Sequence, residues 1–161
     1  MTAEVEIRPG STDDLTVLVT VLGERHWFTD RLARQHRGSG VVLVAWLEGR
    51  PVGEVFLECE PATEPEVRRQ LPSVPRLDHL EVPGPFQGRG IATEALRLLV
   101  ERAREDGRWG DIHAFTGASN GPSNAVCRKG GFTYIGEETV HYAGRRLRCN
   151  HWVLDATPPA S

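Results

Sequence analysis

The stretch from residue 82 to residue 93, VPGPFQGRGIAT, constrains the fold of this chain more than any other. It follows an apolar run, RLDHLEV, and leads into IATEALRLLVERARED, whose apolar residues have the spacing of an amphipathic helix. Pro83 cannot donate a hydrogen bond to a neighbouring strand, so strand pairing should stop just past Val82. The sequence therefore predicts a strand, a glycine-rich turn and a helix that begins near residue 90.

The glycine-rich turn has the properties of an anion site. The first amides of a helix lack an intrahelical acceptor, and the helix dipole leaves partial positive charge beside them. Glycines at 88 and 90 let the backbone approach a ligand closely and accept positive φ angles. We therefore predict that a pyrophosphate binds here, with side-chain contacts from Arg89 and Thr93. The predicted backbone donors are Gly88, Arg89, Gly90, Ile91, Ala92 and Thr93.

The turn could instead have a purely structural role or bind a nucleotide. In the first case the glycines would serve only a tight turn at a helix start. A Walker A loop needs G-x-x-x-x-G-K-[ST], and the turn has neither that lysine nor that spacing. A dinucleotide fingerprint needs G-x-G-x-x-G after the first strand of a βαβ unit, whereas Thr93 stands at the third glycine position here. Both nucleotide motifs therefore fit poorly.

The pattern along the chain predicts the element order β-α-α-β-β-β-α-β-α-β-β. The predicted strands are residues 4–10, 41–48, 51–60, 76–82, 109–117 and two more around an Ala143–Gly144 turn. The predicted helices are residues 11–24, 25–35, about 90–106 and a short one within 119–131. The segment 61–75 is predicted as a loop with at most a short helix. This order indicates an α/β protein of the α+β kind, with a mixed sheet and helices on both faces.

Composition excludes several classes of protein. At 161 residues, with 39% hydrophobic and 25% charged residues, the chain has the balance of one soluble domain. We place that domain at 1–155, with a disordered tail at 156–161. The net charge of −3 predicts no nucleic-acid partner, and no apolar run is long enough for a membrane span. Three cysteines without paired spacing indicate neither disulfides nor a metal site, and the absence of a signal-peptide pattern predicts a cytoplasmic location.

A second motif lies downstream, NGPSNAVCRKGGF at 120–132. Together the two motifs resemble those of the GCN5-related N-acetyltransferases, the GNAT superfamily. Gln87, Gly90 and Ala92 match the family's [QR]-x-x-G-x-[GA] turn. The downstream segment resembles the family's N-x-x-[AS]-x-x-[VL]-[YC]-x-[KR]-x-G-[FY] pattern. Its residues in register are Asn120, Ser123, Val126, Lys129, Gly131 and Phe132.

The resemblance implies an acyl-CoA N-acyltransferase fold with acetyl-CoA as co-substrate. In that fold the sheet is mostly antiparallel, its fourth and fifth strands splay apart, and the pantetheine arm lies in the gap, here along Leu80 to Val82. The pyrophosphate binds the turn from Gln87 to Thr93. Asn120 resembles the family asparagine that hydrogen-bonds pantetheine, although a plain helix cap would account for it equally, and Ser123 belongs to the same motif. A homodimer through the C-terminal strands is expected by family analogy only.

The resemblance also implies catalytic roles. A backbone N–H of the splayed strand, here that of Val82, would bind the oxyanion. Glu81 is the first choice of general base and His79 the second, while the alternative for Glu81 is an ordinary solvated strand residue. A regular strand would place Leu77, His79 and Glu81 on one face and Asp78, Leu80 and Val82 on the other. Weaker candidates for the base on neighbouring strands are Glu54, Glu58 and His113.

Cys127 departs from the family pattern. Many members carry a tyrosine at this position, which protonates the departing CoA sulfur. A thiol with an ordinary pKa of about 8.5 could donate a proton at neutral pH. The alternative is that Cys127 is a small buried helix residue.

The predicted function is acetyl transfer from acetyl-CoA to a primary amine, by direct attack in a ternary complex. The amine belongs to a small molecule or to a protein or peptide, and the sequence does not identify it. Two alternatives are an acyl-CoA-binding sensor or regulatory module without turnover, and a dinucleotide-binding protein.

Overall fold

The computed structural model describes residues 4–61, 65–71, 74–107, 110–142 and 144–157. The strands are β1 (Glu6–Pro9), β2 (Gly40–Leu47), β3 (Arg50–Glu58), β4 (Arg76–Glu81), β5 (Asp111–Gly117), β6 (Thr133–Tyr142) and β7 (Arg145–Asp155). The helices are α1 (Leu15–Leu22), α2 (Arg25–His36), α3 (Pro65–Gln70), α4 (Ile91–Asp106) and α5 (Gly121–Lys129). The predicted order is confirmed, and α3 is the short helix inside the segment 61–75. Trp109 and Ala143, placed by prediction in a strand and a turn, lie outside the described residues.

The strands form one mixed sheet in the order β1-β2-β3-β4-β5-β7-β6. All neighbouring pairs are antiparallel except β4 and β5, which run parallel. Parallel neighbours need a long crossover connection, and α4 supplies it. The mostly antiparallel mixed sheet is therefore confirmed.

β4 separates from β5 soon after the two strands meet. The pairs between them are Arg76 with His113 and Leu77 with Ala114. On its other side β4 stays paired with β3 as far as Glu81, which lies opposite Glu54. The expected splay is thus present, and β4 ends one residue earlier than predicted. Val82 lies past the strand end because Pro83, which follows it, has no N–H to continue the pairing.

Helices cover both faces of the sheet. α1 and α2 pack on one face against alternate residues of β2 and β3, and α4 and α5 pack on the other face. Most residues of β2 and β3 are therefore buried on one side or the other, which explains their near-continuous apolar runs. The cluster under α1 and α2 contains Leu18, Phe28, Leu32, Val42, Val44, Trp46 and Phe56.

α4 buries a single apolar stripe. The stripe recurs at helical spacing and faces the sheet. Gly90 and Gly107 flank the helix with φ angles of 77° and 74°, in the left-handed region that glycine adopts easily. Within the described residues, no helix combines the length and apolarity that a membrane crossing requires. The buried stripe consists of Ile91, Ala95, Leu96, Leu99, Val100 and Ala103.

A β-bulge interrupts the pairing of β4 with β3. Phe56 lies opposite His79, but the next residue of β3, Leu57, lies opposite Leu77. Asp78 is the extra residue between them and has no counterpart in β3. A bulge ends the strict two-residue alternation of a strand and is often found next to a functional site.

The bulge corrects the predicted faces of β4. Leu77 packs with Leu80 in the cluster under α4, not on the face of His79. Asp78 instead accepts a hydrogen bond from Arg31 of α2 (3.3 Å), so it lies toward the opposite layer. The prediction was wrong for Leu77 and Asp78 because it assumed a strand without an inserted residue.

The ordered chain continues past residue 155. Ala156 is fully buried, and its N–H donates to the carbonyl oxygen of Gly110 (2.7 Å). The N–H of Thr157 donates to the Asp155 carboxylate (2.9 Å). The first two residues of the predicted tail at 156–161 therefore contact the domain, and residues 158–161 lie outside the described chain.

Gly40 tests how tightly β2 packs on β3. A Cβ at this position would lie 2.5 Å from Cζ and 2.6 Å from Cε2 of Phe56, whose ring is fully buried. We expect Gly40→Ala to lower the free energy of unfolding by about 1–3 kcal/mol, the usual cost of overpacking a core. Urea unfolding measures the change.

Gly110→Ala is the matched control, because the Cβ it would gain has no heavy atom within 4 Å. Its effect should stay within about 0.5 kcal/mol. An equal decrease in the free energy of unfolding in the two variants, or no decrease in Gly40→Ala, would contradict the packing described.

Candidate active site

The start of α4 leaves backbone donors without protein acceptors. The first bond of the helix runs from the Glu94 N–H to the Gly90 carbonyl oxygen (3.0 Å). The amides of residues 91–93 therefore precede any helix bond, and none of them donates to another described residue. Three uncapped amides at the positive end of a long helix have the geometry of the predicted anion site.

The turn before α4 is held against the end of β4. Gln87 donates from Nε2 to the carbonyl oxygen of Val82 (2.9 Å). The guanidinium of Arg89 lies over the ring of Phe86, 5.6 Å from its centroid. Gln87, predicted as a ligand contact, therefore also positions the turn, which the motif alone does not indicate.

Val82 lies where the chain leaves the splayed strand. Its side chain packs in an apolar cluster with Ile91 and Phe86, and Gln87 holds its carbonyl group. Its N–H has no acceptor among the described residues. An N–H that is fixed in place and free to donate is what an oxyanion site requires.

The start of α5 carries the second predicted group of CoA contacts. The Asn120 side chain caps the helix, because its Oδ1 accepts a hydrogen bond from the Ser123 N–H (3.2 Å). Both residues are accessible at this end of the helix. The helix cap that the sequence left open as an alternative is therefore present, and it leaves the Asn120 Nδ2 group available to a ligand.

A buried polar network, which the sequence analysis missed, fixes the start of α5 to β5 and β7. Its centre is Asn124, whose Nδ2 donates to the carbonyl oxygen of Asn120 (2.8 Å). The Asn124 Oδ1 accepts from Thr116 Oγ1 (2.5 Å), Asn150 Nδ2 (3.0 Å) and Trp152 Nε1 (3.3 Å). Buried polar groups that are all paired hold one arrangement rigidly. No spacing signal marks the network, since its members come from three separate elements.

A small hollow opens beside the splayed end of β4, on the face covered by α1 and α2. Leu22 and Phe28 form its apolar wall. Glu24, Glu54 and Glu81 form its polar lining, and none of its described lining residues is basic. Three carboxylates around one hollow attract a cationic group.

His79 lies between two of these carboxylates. Its Nδ1 is hydrogen-bonded to Glu54, and its Nε2 lies 3.8 Å from a carboxylate oxygen of Glu81. Its ring contacts Trp27, with the ring centroids 4.6 Å apart. The hydrogen bond with Glu54 raises the pKa of the His79 imidazole, and burial raises the pKa of the Glu54 carboxyl.

The structure brings most of the predicted catalytic residues together. Glu81, His79 and Val82 lie at the end of β4, directly before the turn that leads to α4. The sequence did not single out the Glu24 carboxylate as a member of this group, and Glu54 appeared only as a weaker candidate. Glu54 is placed here by the register of β3 against β4, and Glu24 by the position of α2. Neither can be inferred from the spacing of residues along the sequence.

The sequence matches the family model described as Acetyltransferase (GNAT) domain over residues 16–133. That match covers most of the chain and includes both motifs. The chain belongs to the GNAT acetyltransferase family. Among curated proteins, none matches the sequence at a significant level.

Solved structures share the acetyltransferase fold along the whole chain. The ribosomal L7/L12 alpha-N-protein acetyltransferase RimL has a TM-score of 0.77 at 16% identity, over 99% of this chain and 97% of that chain. A ribosomal-protein-alanine N-acetyltransferase from Brucella melitensis has 0.72 at 24%, over 93% and 99%. The protein yncA of Salmonella typhimurium, solved with its cofactor acetyl-CoA, has 0.70 at 19%, over 99% and 98%. Similarity at these identities shows the fold.

Cys127 of this acetyltransferase lies in the core and not at the hollow. It is 2% exposed and belongs to the cluster under α4. Burial raises the pKa of its thiol to about 11, so the thiol stays protonated at neutral pH. Because this thiol is enclosed by apolar neighbours, the structure favours the packing alternative for Cys127 over a proton donor.

We expect Cys127→Ala to keep the turnover rate and to lower the free energy of unfolding by about 1–2 kcal/mol through lost packing. The folded thiol pKa lies above that of an exposed thiol. The unfolded chain therefore ionises first as pH rises, and the stability contributed by the thiol is complete below pH 9 and lost toward pH 11.

Urea unfolding of both proteins between about pH 8 and pH 10.5 tests this sign. The stability difference should be constant up to about pH 9 and then shrink by as much as about 1.4 kcal/mol per pH unit. A difference that grows with pH, or a large loss of turnover in Cys127→Ala, would contradict a buried, packing thiol.

Proposed function

We propose that this acetyltransferase moves an acetyl group from acetyl-CoA to a primary amine by direct attack in a ternary complex. The observation that carries the proposal is the juxtaposition at the end of β4. Uncapped amides at residues 91–93 begin the helix that follows β4, the edge of β4 toward β5 is open, and the carboxylates of Glu54 and Glu81 lie at the end of that strand. The end of β4 thereby combines a backbone that can bind an anion, an open strand edge and groups that can accept a proton.

Acetyl-CoA supplies an activated acetyl thioester when it is bound. The amides of residues 88–93 would hold its pyrophosphate, with Arg89 and Thr93 adding side-chain contacts. The open edge of β4 at Leu80 to Val82 would accept the pantetheine arm. Asn120 and Ser123 lie at the start of α5, which follows β5, and would contact the arm from there.

The residues around the hollow would carry the proton and the developing charge. Glu81, with His79 beside it, would first take one proton from the ammonium group and so leave a neutral amine. The amine nitrogen then forms a bond to the thioester carbon, the carbon–sulfur bond breaks, and CoA leaves with the sulfur electrons. The second proton, which the nitrogen loses as the amide forms, passes through water to the CoA thiolate. The free N–H of Val82 would donate to the carbonyl oxygen while it carries negative charge, an interaction worth about 3–4 kcal/mol of barrier in other enzymes.

The acceptor amine would approach at the outer edge of the hollow, where Glu24 and Glu81 are exposed. An amine is mostly protonated at neutral pH, and the carboxylates of Glu24, Glu54 and Glu81 favour a cation. Leu22, which is half-buried beside these carboxylates, would contact the carbon chain next to the amine. A cytoplasmic location and a homodimer stay predictions from the sequence and the family resemblance.

Transfer of labelled acetyl from acetyl-CoA to a panel of amines tests the proposal. We expect Glu81→Gln to lower kcat by about 10²- to 10⁴-fold, the usual contribution of a general base, and His79→Gln to lower it less. The affinity for CoA, measured by calorimetry, should not change in either variant, because neither side chain lies at the phosphate site. Glu60→Gln, at an exposed position outside the hollow, is the matched control and should keep full activity.

Two results would count against the proposal. If CoA binds but no amine in the panel is acetylated, the sensor alternative gains support. If Glu81→Gln and His79→Gln both keep full turnover, another group takes the proton and the assignment of the base fails.

A further inference from the structure

We propose that this chain binds a divalent transition-metal ion, zinc above all, through Glu24, His79 and Glu81. One ligand atom of each residue lies within 4.8 Å of the ligand atoms of the other two. Glu24 directly precedes α2, while the other two residues lie on β4. Because the ligands come from two separate elements, they do not show the closely spaced histidines and cysteines that usually indicate zinc in a sequence.

The orientation of His79 is that of a metal ligand. Metal-binding imidazoles usually have one ring nitrogen hydrogen-bonded to a carboxylate, which fixes the tautomer and leaves the lone pair of the other nitrogen free. Here Glu54 holds Nδ1, and Nε2 points toward the Glu81 carboxylate at 3.8 Å. Contact with Trp27 keeps the ring from turning.

Glu54 is a second, separate feature that favours a cation in the hollow. The residue is 3% exposed, and its Oε2 atom is buried without a hydrogen-bond partner. It lines the same hollow as Glu24 and Glu81. A buried carboxylate oxygen without a donor costs free energy, and a positive charge in the hollow would offset that cost.

The ligand types select the ion. Magnesium and calcium prefer oxygen ligands alone, whereas an imidazole with two carboxylates suits zinc and related transition metals. In a tetrahedral zinc site the ligand atoms stand about 3.4 Å apart, so the gap of 3.8 Å between His79 and Glu81 needs a small side-chain shift. The separations from Glu24, within 4.8 Å, need a larger one, and the exposed side chains of Glu24 and Glu81 are free to make it. Three protein ligands leave the fourth position to water.

A bound ion would take the same atoms that the proposed reaction uses. Zinc on His79 and Glu81 removes their free lone pairs, so the ion and the amine should exclude each other. Zinc should then inhibit acetyl transfer in competition with the amine and not with acetyl-CoA. This consequence depends on the proposed function, whereas binding of the ion does not.

Calorimetric titration of the full chain, without a histidine tag, with zinc chloride tests the binding. The wild type should bind one ion per chain with a saturable isotherm. His79→Gln and Glu24→Gln should each weaken zinc binding by more than about tenfold. Glu54→Gln should weaken it by about 10- to 100-fold, because the hydrogen bond with Glu54 orients the imidazole. Cobalt(II) should give the visible absorption of a four-coordinate ion in the wild type and lose it in His79→Gln.

His36→Gln is the matched control, because His36 is a histidine at the far end of α2, away from the hollow. It should bind zinc like the wild type, and urea unfolding should show that every variant is folded. No saturable binding by the wild type, unchanged binding by both ligand variants, or loss of binding in His36→Gln would overturn the proposal. Zinc binding without acetyl transfer would support the metal site and count against the proposed function. Acetyl transfer without zinc binding would support the proposed function and count against the metal site.

Discussion

The separation of β4 from β5 is the feature from which the rest of the site follows. Backbone groups that lose a strand partner cost free energy unless something else pairs with them. β4 stays in place because β3 holds its other edge as far as Glu81, while the edge toward β5 is open past Leu77. The amides at the start of α4 lie directly after that opening. An acyl-CoA site at this point would therefore rest mainly on backbone, which tolerates large changes of side chain.

The acidic side of the site depends on strand register. Glu54 lies opposite Glu81, and the bulge at Asp78 turns His79 toward Glu54 instead of into the core under α4. A shift of one residue in either strand would bury these polar groups against apolar neighbours. The bulge, the acidic hollow and the orientation of the imidazole are in this sense one feature. Glu24 joins them only because α2 begins over the end of β4.

Much of the fold could be predicted from the sequence, because its strongest signals are local. Apolar periodicity marks the strands and α4, and the glycines and Pro83 mark where β4 must stop. What could not be predicted depends on contacts between distant segments. The bulge at Asp78, the burial of Ala156 and the network around Asn124 each depend on how elements far apart in the sequence pack together. Glu24 has no motif of its own, and its position became visible only in three dimensions.

Amide chemical-shift perturbation by NMR, when CoA is added to the isotope-labelled chain, tests the role of the open strand most directly. If the open strand and the uncapped helix start form the acyl-CoA site, the largest shifts will fall on the amides of residues 91–93 and of Val82. Amides of β1, on the opposite edge of the sheet, should be unaffected. Binding of CoA with shifts confined to other parts of the chain would contradict a site built on these amides.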